Sequence, residues 1–279
     1  MRKTIRRIIL VLLMLVFVVT TGWIAAVRLR YRASREKYGS AAEQYTASSE
    51  EGRVTASQGA ASSAEPDAAA SADAETFAAE ADIAPIHVDF EQLGKVNGDV
   101  IGWIFCPDTA INYPVVHATD NEYYLDRDYR REYDPNGAIF TDADNSPGFA
   151  DFNTIIYGHH MADMSMFASL EYWLDQAYYD AHPTMWLLTP EQDYRVDLFS
   201  CYSTTEDSDS YTIYYGPGTQ FEYYLRRAAA DSAFRCSVEL EADAHYVLLS
   251  TCAYGYDEGR TVVHGKLVPL NSSGGTPES

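Results

Sequence analysis

Twenty consecutive residues without a charge, Ile8 to Val27, set the first limit on what this 279-residue chain can fold into. At about 1.5 Å per residue a helix of that length crosses a hydrocarbon core of roughly 30 Å, and a helix satisfies its own backbone N–H and C=O groups. The run therefore reads as a membrane span. A cleaved signal peptide would have a shorter apolar core, usually about 7–15 residues, and a small-x-small cleavage site, which does not precede the basic cluster here. Arg2, Lys3, Arg6 and Arg7 lie before the run and favour a cytoplasmic N-terminus, although Arg28, Arg30, Arg32 and Arg35 after it blur the asymmetry.

Charge divides the chain near the same place. Up to Lys37 there are nine Lys or Arg and one acid, whereas the remainder holds 11 basic and 40 acidic residues. A body this acidic argues against a nucleic-acid partner and suits a solvated extracellular face. From Arg28 to Ala84 the composition shifts to Ala, Ser, Glu, Gln and Gly, with residues 50–75 close to low complexity. A disordered tether is expected there, with helical content suggested between Ala33 and Tyr45 by its Ala, Glu and Lys. As a flexible coil the segment would have an end-to-end distance of about 40 Å. The predicted organisation is a cytoplasmic basic segment (1–7), a transmembrane anchor (8–27), the tether (28–84), a folded domain (85–270) and a disordered tail (271–279).

Within the folded part, short apolar runs alternate with Pro, Gly, Asn and Asp turns. The runs are WIF after Gly102, Ile111 to Val116, Gly137 to Phe140, Asn153 to His159, Trp186 to Thr189, Tyr194 to Tyr202, Tyr246 to Thr251 and Arg260 to Val268. This pattern predicts a mainly β barrel or sandwich. Helical spacing is expected at Val88 to Ile101, Ser165 to Tyr178 and Thr219 to Ala230.

The last two strands carry the chemistry. Cys252 closes one and Arg260 opens the next, so a hairpin sets a thiol beside a permanent cation, with directly opposed residues roughly 5 Å apart. A neighbouring positive charge favours the nucleophilic thiolate over a thiol whose pKa is ordinarily about 8.5. A proton carrier is still required, and His159 is the candidate because it ends an apolar strand just after Gly158, held by a scaffold yet near a rim. His160 is expected on the opposite face, and His264, inside the final strand, is expected to be structural. Cys106 and Cys201 read as small buried hydrophobes, and a Cys201–Cys236 disulfide is left open. The four cysteines contain no CxxC pair, so no metal and no other cofactor is expected.

These segments resemble a known family. LSTC at Leu249 to Cys252, Arg260, VVHGKL at Val262 to Leu267, NTIIYGHHM at Asn153 to Met161, YPVVHATDNEYYLDRDY at Tyr113 to Tyr129 and GAIFTD at Gly137 to Asp142 are similar to the sortases, specifically class B. The resemblance implies a closed eight-stranded β-barrel with an N-terminal helix and helical insertions, and a cysteine transpeptidase of the Gram-positive cell surface. It implies Cys252 as nucleophile, His159 as general acid and base, and Arg260 as the cation that orients substrate and stabilises the oxyanion. It also implicates Asn121 and Ser250 as polar contacts, and Leu125 and Tyr157 as walls, for a sorting peptide. The implied partners are secreted proteins with C-terminal sorting signals and an amine of a peptidoglycan precursor or cross-bridge. The enzyme would be single-pass in the cell membrane with its catalytic domain outside. Some class B members carry an acid directly after the cysteine, where this chain has Ala253.

Two other readings of the local residues differ in class. A thiol endopeptidase would use water as acceptor, but such enzymes normally orient His with Asn or Asp and need no cation at this spacing. A catalytically silent surface-binding domain would keep Cys252 buried and slow to label.

Overall fold

The computed structural model describes residues 2–49, 83–252 and 259–270, and divides into two units, Met1–Ser40 and Ala41–Ser279. The helix α1 (Arg2–Tyr45) begins in the first unit and is, among the described residues, the one helix long and apolar enough to cross a membrane. It contains the whole of the uncharged run. Helix α1 continues through residues 28–45 of the expected tether, including Ala33 to Tyr45, where the composition suggests helical content. Strand β1 (Thr46–Ser48) then pairs antiparallel with β2 (Ile86–Val88). The Asp89 N–H donates to the Tyr45 carbonyl at 2.8 Å and Ser49 Oγ donates to the Ala84 carbonyl at 2.6 Å, so the folded body starts well before residue 85. Residues 50–82 of the expected tether and the expected tail 271–279 lie outside the described residues.

The helix α2 (Phe90–Val96) is shorter than its apolar spacing suggests. The Asp89 carboxylate caps its start by accepting from the Gln92 N–H at 2.8 Å, and the Asn97-Gly98-Asp99 turn ends it, so that Val100 and Ile101 enter a strand instead. The barrel strands follow: β3 (Val100–Phe105), β4 (Asn112–His117), β5 (Ile139–Thr141), β6 (Asn153–His159), β7 (Thr184–Leu188), β8 (Tyr194–Thr205), β9 (His245–Cys252) and β10 (Gly259–Pro269). They close in the order β10-β8-β7-β3-β4-β5-β6-β9. This is the closed eight-stranded barrel expected. Two pairings, β4 with β5 and β6 with β9, are parallel.

Strands such as Asn153–His159 and Tyr246–Thr251 read as continuous apolar runs because both of their faces are covered. Trp103, Ile104, Val115, Ile155, Leu187, Val196, Leu248 and Val263 are buried. On the outside, helix α4 (Thr219–Ala230), observed with its predicted bounds, lays Phe221, Tyr224 and Leu225 against Phe199 of β8 and Tyr246 of β9. The other predicted insertion divides in two. Residues Ala168–Leu174 form a 3₁₀ turn, and helix α3 (Gln176–Ala181) starts afresh because Asp175 caps it, accepting from the N–H groups of Ala177 and Tyr178.

Candidate active site

The parallel pairing of β6 with β9 brings two C-terminal strand ends to one rim. In its register Tyr157 faces Ser250 and His159 faces Cys252. On the other side of β9, Ser250 faces Val262 of antiparallel β10, and Arg260, two residues before Val262, faces Thr204 of β8. The backbone positions 159 and 252 therefore stand side by side, and Arg260 on the next strand reaches the Thr251 carbonyl beside them. Strand alternation also puts 157 with 159, and 250 with 252, on one face of the sheet.

His159 is fully buried. Burial pushes its imidazole down to about 4, against the opposing pull of the Pro135 carbonyl and the Asp134 carboxylate, so the ring is neutral near pH 7. Its backbone is fixed by the Phe167 N–H, which donates to its carbonyl at 3.1 Å. Gly158 permits this arrangement, since a Cβ there would lie 2.5 Å from Ile139 Cδ1 and 2.7 Å from Phe167 Cγ. His160 turns away, its Nε2 2.6 Å from Glu171 Oε1.

Arg260 is held at two points. Its Nη1 donates to the Thr251 carbonyl at 3.3 Å and its Nη2 to Glu206 Oε2 at 2.9 Å. Its Nε is buried with no hydrogen-bond partner among the described residues. Thr251 Oγ1 accepts from the Thr261 N–H at 3.0 Å, which stitches β9 to β10 beside the pair. A neutral imidazole and a fixed guanidinium thus flank the backbone of a cysteine, the set that acyl transfer through a thioester requires.

The other cysteines are unsuited to that chemistry. Burial pushes the thiols of Cys106 and Cys201 up to about 12. Cys201 and Cys236 are both free thiols, which closes the disulfide left open by the sequence.

The profile of the Sortase domain family matches residues 104–268. Sortase B of Listeria monocytogenes is 39% identical over 182 residues, covering 64% of this chain and 74% of that protein. The chain belongs to the sortase family, class B. Sortase B of Staphylococcus aureus is 32% identical over 188 residues, covering 67% of this chain and 77% of that protein. The structure of the Staphylococcus aureus sortase B–substrate complex aligns with a TM-score of 0.63 at 33% identity, over 65% of this chain and 85% of that one. Sortase B from Listeria monocytogenes aligns at 0.57 and 40% identity, over 64% of this chain and 100% of that one. As a class B sortase the protein is a cysteine transpeptidase, from a family that joins sorting-signal substrates to amine acceptors.

The four further residues singled out in this sortase fall into two arrangements. Tyr157, Ser250 and Asn121 form a linked group. The Tyr157 hydroxyl and Asn121 Nδ2 both donate to Asp142 Oδ2, at 2.8 and 3.1 Å. Ser250 is buried, and its Oγ shares a 2.8 Å hydrogen bond with Tyr211 OH, whose ring stacks on Tyr157 with centroids 6.2 Å apart. Leu125 stands apart from that group, half-buried at the end of a 3₁₀ turn, Tyr123–Leu125. Its turn is pinned by Gly137, whose φ of +59° and close approach to the carbonyls of Tyr124 and Leu125 leave no room for a Cβ.

Sequence reasoning missed Asp134, Glu206, Asp142 and Tyr211. Glu206 and Tyr211 sit in the connection that leaves β8, where no periodicity marks a contact. Asp142 carried a usable signal, since it ends the GAIFTD segment directly after a strand. Ala253 lies outside the described residues.

Proposed function

We propose that this sortase cleaves a C-terminal sorting signal after Thr and transfers the protein to an amine of the peptidoglycan peptide or its cross-bridge. The observation that carries the reading is the pairing of His159 with Cys252 on adjacent strands, with the Arg260 guanidinium held on the carbonyl of Thr251 next to the cysteine. The neutral His159 accepts the Cys252 proton as sulfur attacks the carbonyl carbon following Thr. Arg260 donates to the oxygen on which negative charge develops. The carbon–nitrogen bond breaks, the departing amine takes the proton from His159, and a thioacyl enzyme is left. An incoming amine then attacks the thioester and gives its proton to His159, from which the released sulfur recovers it.

Helix α1 supports a membrane anchor, with residues 8–27 spanning the bilayer, the N-terminus cytoplasmic and the barrel outside. That placement sets the enzyme where secreted substrates and wall precursors emerge. Asn121, Leu125, Tyr157 and Ser250 contact the sorting peptide.

Mass spectrometry of the purified soluble domain with NPxTx, LPxTG-like and SPxTG-like peptides, with and without candidate amines, tests the reading. Cleavage after Thr, an acyl adduct on Cys252 and an amine-dependent product are expected. Full cleavage of every peptide by Cys252→Ala would overturn the assignment. Protease added to intact protoplasts should remove the domain, and protection would reverse the topology.

A further inference from the structure

Asp142 follows β5 directly, is 7% exposed, and meets every partner as a hydrogen-bond acceptor or through its backbone. Its N–H donates to the Ile155 carbonyl of β6 at 2.9 Å, and its carbonyl accepts from the Asn145 N–H at 3.1 Å, so its Cα is tied to the barrel. Oδ1 accepts from the Asp144 N–H at 2.9 Å. Oδ2 accepts from both Asn121 Nδ2 and Tyr157 OH.

This pattern dictates the orientation of Asn121. An ionised carboxylate only accepts, so the amide must turn its nitrogen toward Asp142. The Asn121 oxygen then accepts from the Ala143 N–H at 2.8 Å, and the opposite rotamer would face donor with donor and acceptor with acceptor. One N–H of Asn121, an exposed residue, remains without a partner among the described residues. Tyr157 has its hydroxyl engaged and is left to present its ring, stacked with Tyr211 and tilted against Phe140 at 5.4 Å.

We propose that Asp142 is a positioning residue for the sorting peptide: its buried carboxylate presents Asn121 as a hydrogen-bond donor to a peptide carbonyl and holds Tyr157 as a wall. This rests on the reading of Asn121 and Tyr157 as peptide contacts. The carboxylate meets no substrate atom. It acts through its two donors, so its loss should weaken peptide binding while the chemistry at Cys252 persists.

Asp142→Asn is the primary variant. With its amide oxygen kept on the Asp144 N–H, its N–H₂ takes the place of Oδ2 and meets the Asn121 N–H₂, and no rotamer of Asn121 then satisfies both position 142 and the Ala143 N–H; the flipped amide serves Asn121 and Tyr157 but sets N–H₂ against the Asp144 N–H. KM for a cleaved sorting peptide is expected to rise about tenfold, with kcat and the labelling rate of Cys252 by a small thiol reagent within about twofold of the parent. Tyr157→Phe, which removes only the hydroxyl, should raise KM about threefold. The swap Asp142→Asn/Asn121→Asp restores both local bonds and should return the thermal midpoint to that of the parent. Its KM should stay raised, because position 121 then has no donor to offer.

A parental KM in Asp142→Asn overturns the proposal, as does recovery of KM in the swap. A parallel fall of kcat and thiol labelling would show a purely structural role and would also overturn it. Peptide binding to Cys252→Ala, followed by intrinsic fluorescence, separates the two levels. Failure of every peptide to bind that otherwise unaltered protein overturns the sorting reading and the Asp142 proposal with it. Equal binding with and without Asp142→Asn overturns the Asp142 proposal alone.

Discussion

Arg260 and Glu206 form an ion pair of 2.9 Å between Nη2 and Oε2, with the arginine side chain 16% exposed and the glutamate 61%. The pair fixes a guanidinium that also holds the carbonyl of Thr251, the residue before Cys252. Glu206 is too exposed to contribute much stability, since such pairs are ordinarily worth about 1 kcal/mol or less. Its effect is on orientation. Glu206→Ala is expected to slow thioacyl formation about fivefold with little change in thermal midpoint, and Glu206→Gln, which keeps an acceptor oxygen, to fall between the two. Single-turnover acylation measured by mass spectrometry checks this, and a faster alanine variant would mean that Glu206 competes with substrate for the cation.

Arg260 itself is bound through geometry that lysine cannot copy. Two nitrogens reach separate acceptors, the Thr251 carbonyl and the Glu206 carboxylate, while Nε stays buried. Removing one preorganised donor to a developing oxyanion typically costs about 10²- to 10³-fold in rate, so Arg260→Ala should lose about that much in kcat. Arg260→Lys should recover less than tenfold of it, because an ammonium lacks the planar fork. Recovery to the parental rate would reduce Arg260 to a simple source of charge.

The local chemistry was more legible than the long-range pairing. The strand runs were visible in β-branched and aromatic clusters, and the hairpin spacing alone set Cys252 near Arg260. The placement of His159 was not derivable that way. It depends on β6 pairing parallel with β9 across an intervening 85 residues (160–244), which leaves no mark in either strand; the strand-end position made His159 a candidate, and the resemblance to class B sortases settled the choice. Loop residues such as Glu206 and Tyr211 carry no periodicity, so their contacts emerge only when distant segments meet. The helix read through residues 165–178 failed for a local reason: Asp175 can cap a new helix better than it can continue an old one.

Gly158 offers a test of how closely the His159 backbone is packed. A Cβ at this position would overlap Ile139 and the Phe167 ring, both fully buried. Gly158→Ala should cost about 1–3 kcal/mol of stability, as overpacking of a filled core does. Because the Phe167 N–H holds the His159 carbonyl, kcat/KM should fall as well. Urea unfolding and peptide cleavage measured on one preparation check both. A variant as stable as the parent would show that Phe167 yields freely.

His264 makes the stability of the barrel dependent on pH. Its ring is enclosed by Phe199, Tyr202 and Tyr224, with no hydrogen-bond partner for either nitrogen among the described residues, and burial pushes its pKa down to about 3. Burial also raises both tyrosines, so the groups facing the imidazole stay neutral near pH 7. Between that lowered value and the ordinary value of about 6.5, the unfolded chain binds a proton that the folded chain excludes. Stability is therefore fully present above about pH 6.5 and falls with acidification, by up to about 1.4 kcal/mol per pH unit for each such histidine. His159, pushed down to about 4, adds to the same slope, and His182, also lowered by burial, leans the same way. Urea unfolding at pH 7, 6 and 5 should show the decline. In His264→Phe, which suits the aromatic surroundings, the slope should flatten by about a third to a half, and stability at pH 7 should rise by about 1 kcal/mol, since two buried unpaired nitrogens are removed. An unchanged slope in that variant would mean that His264 does not stay neutral in the folded barrel.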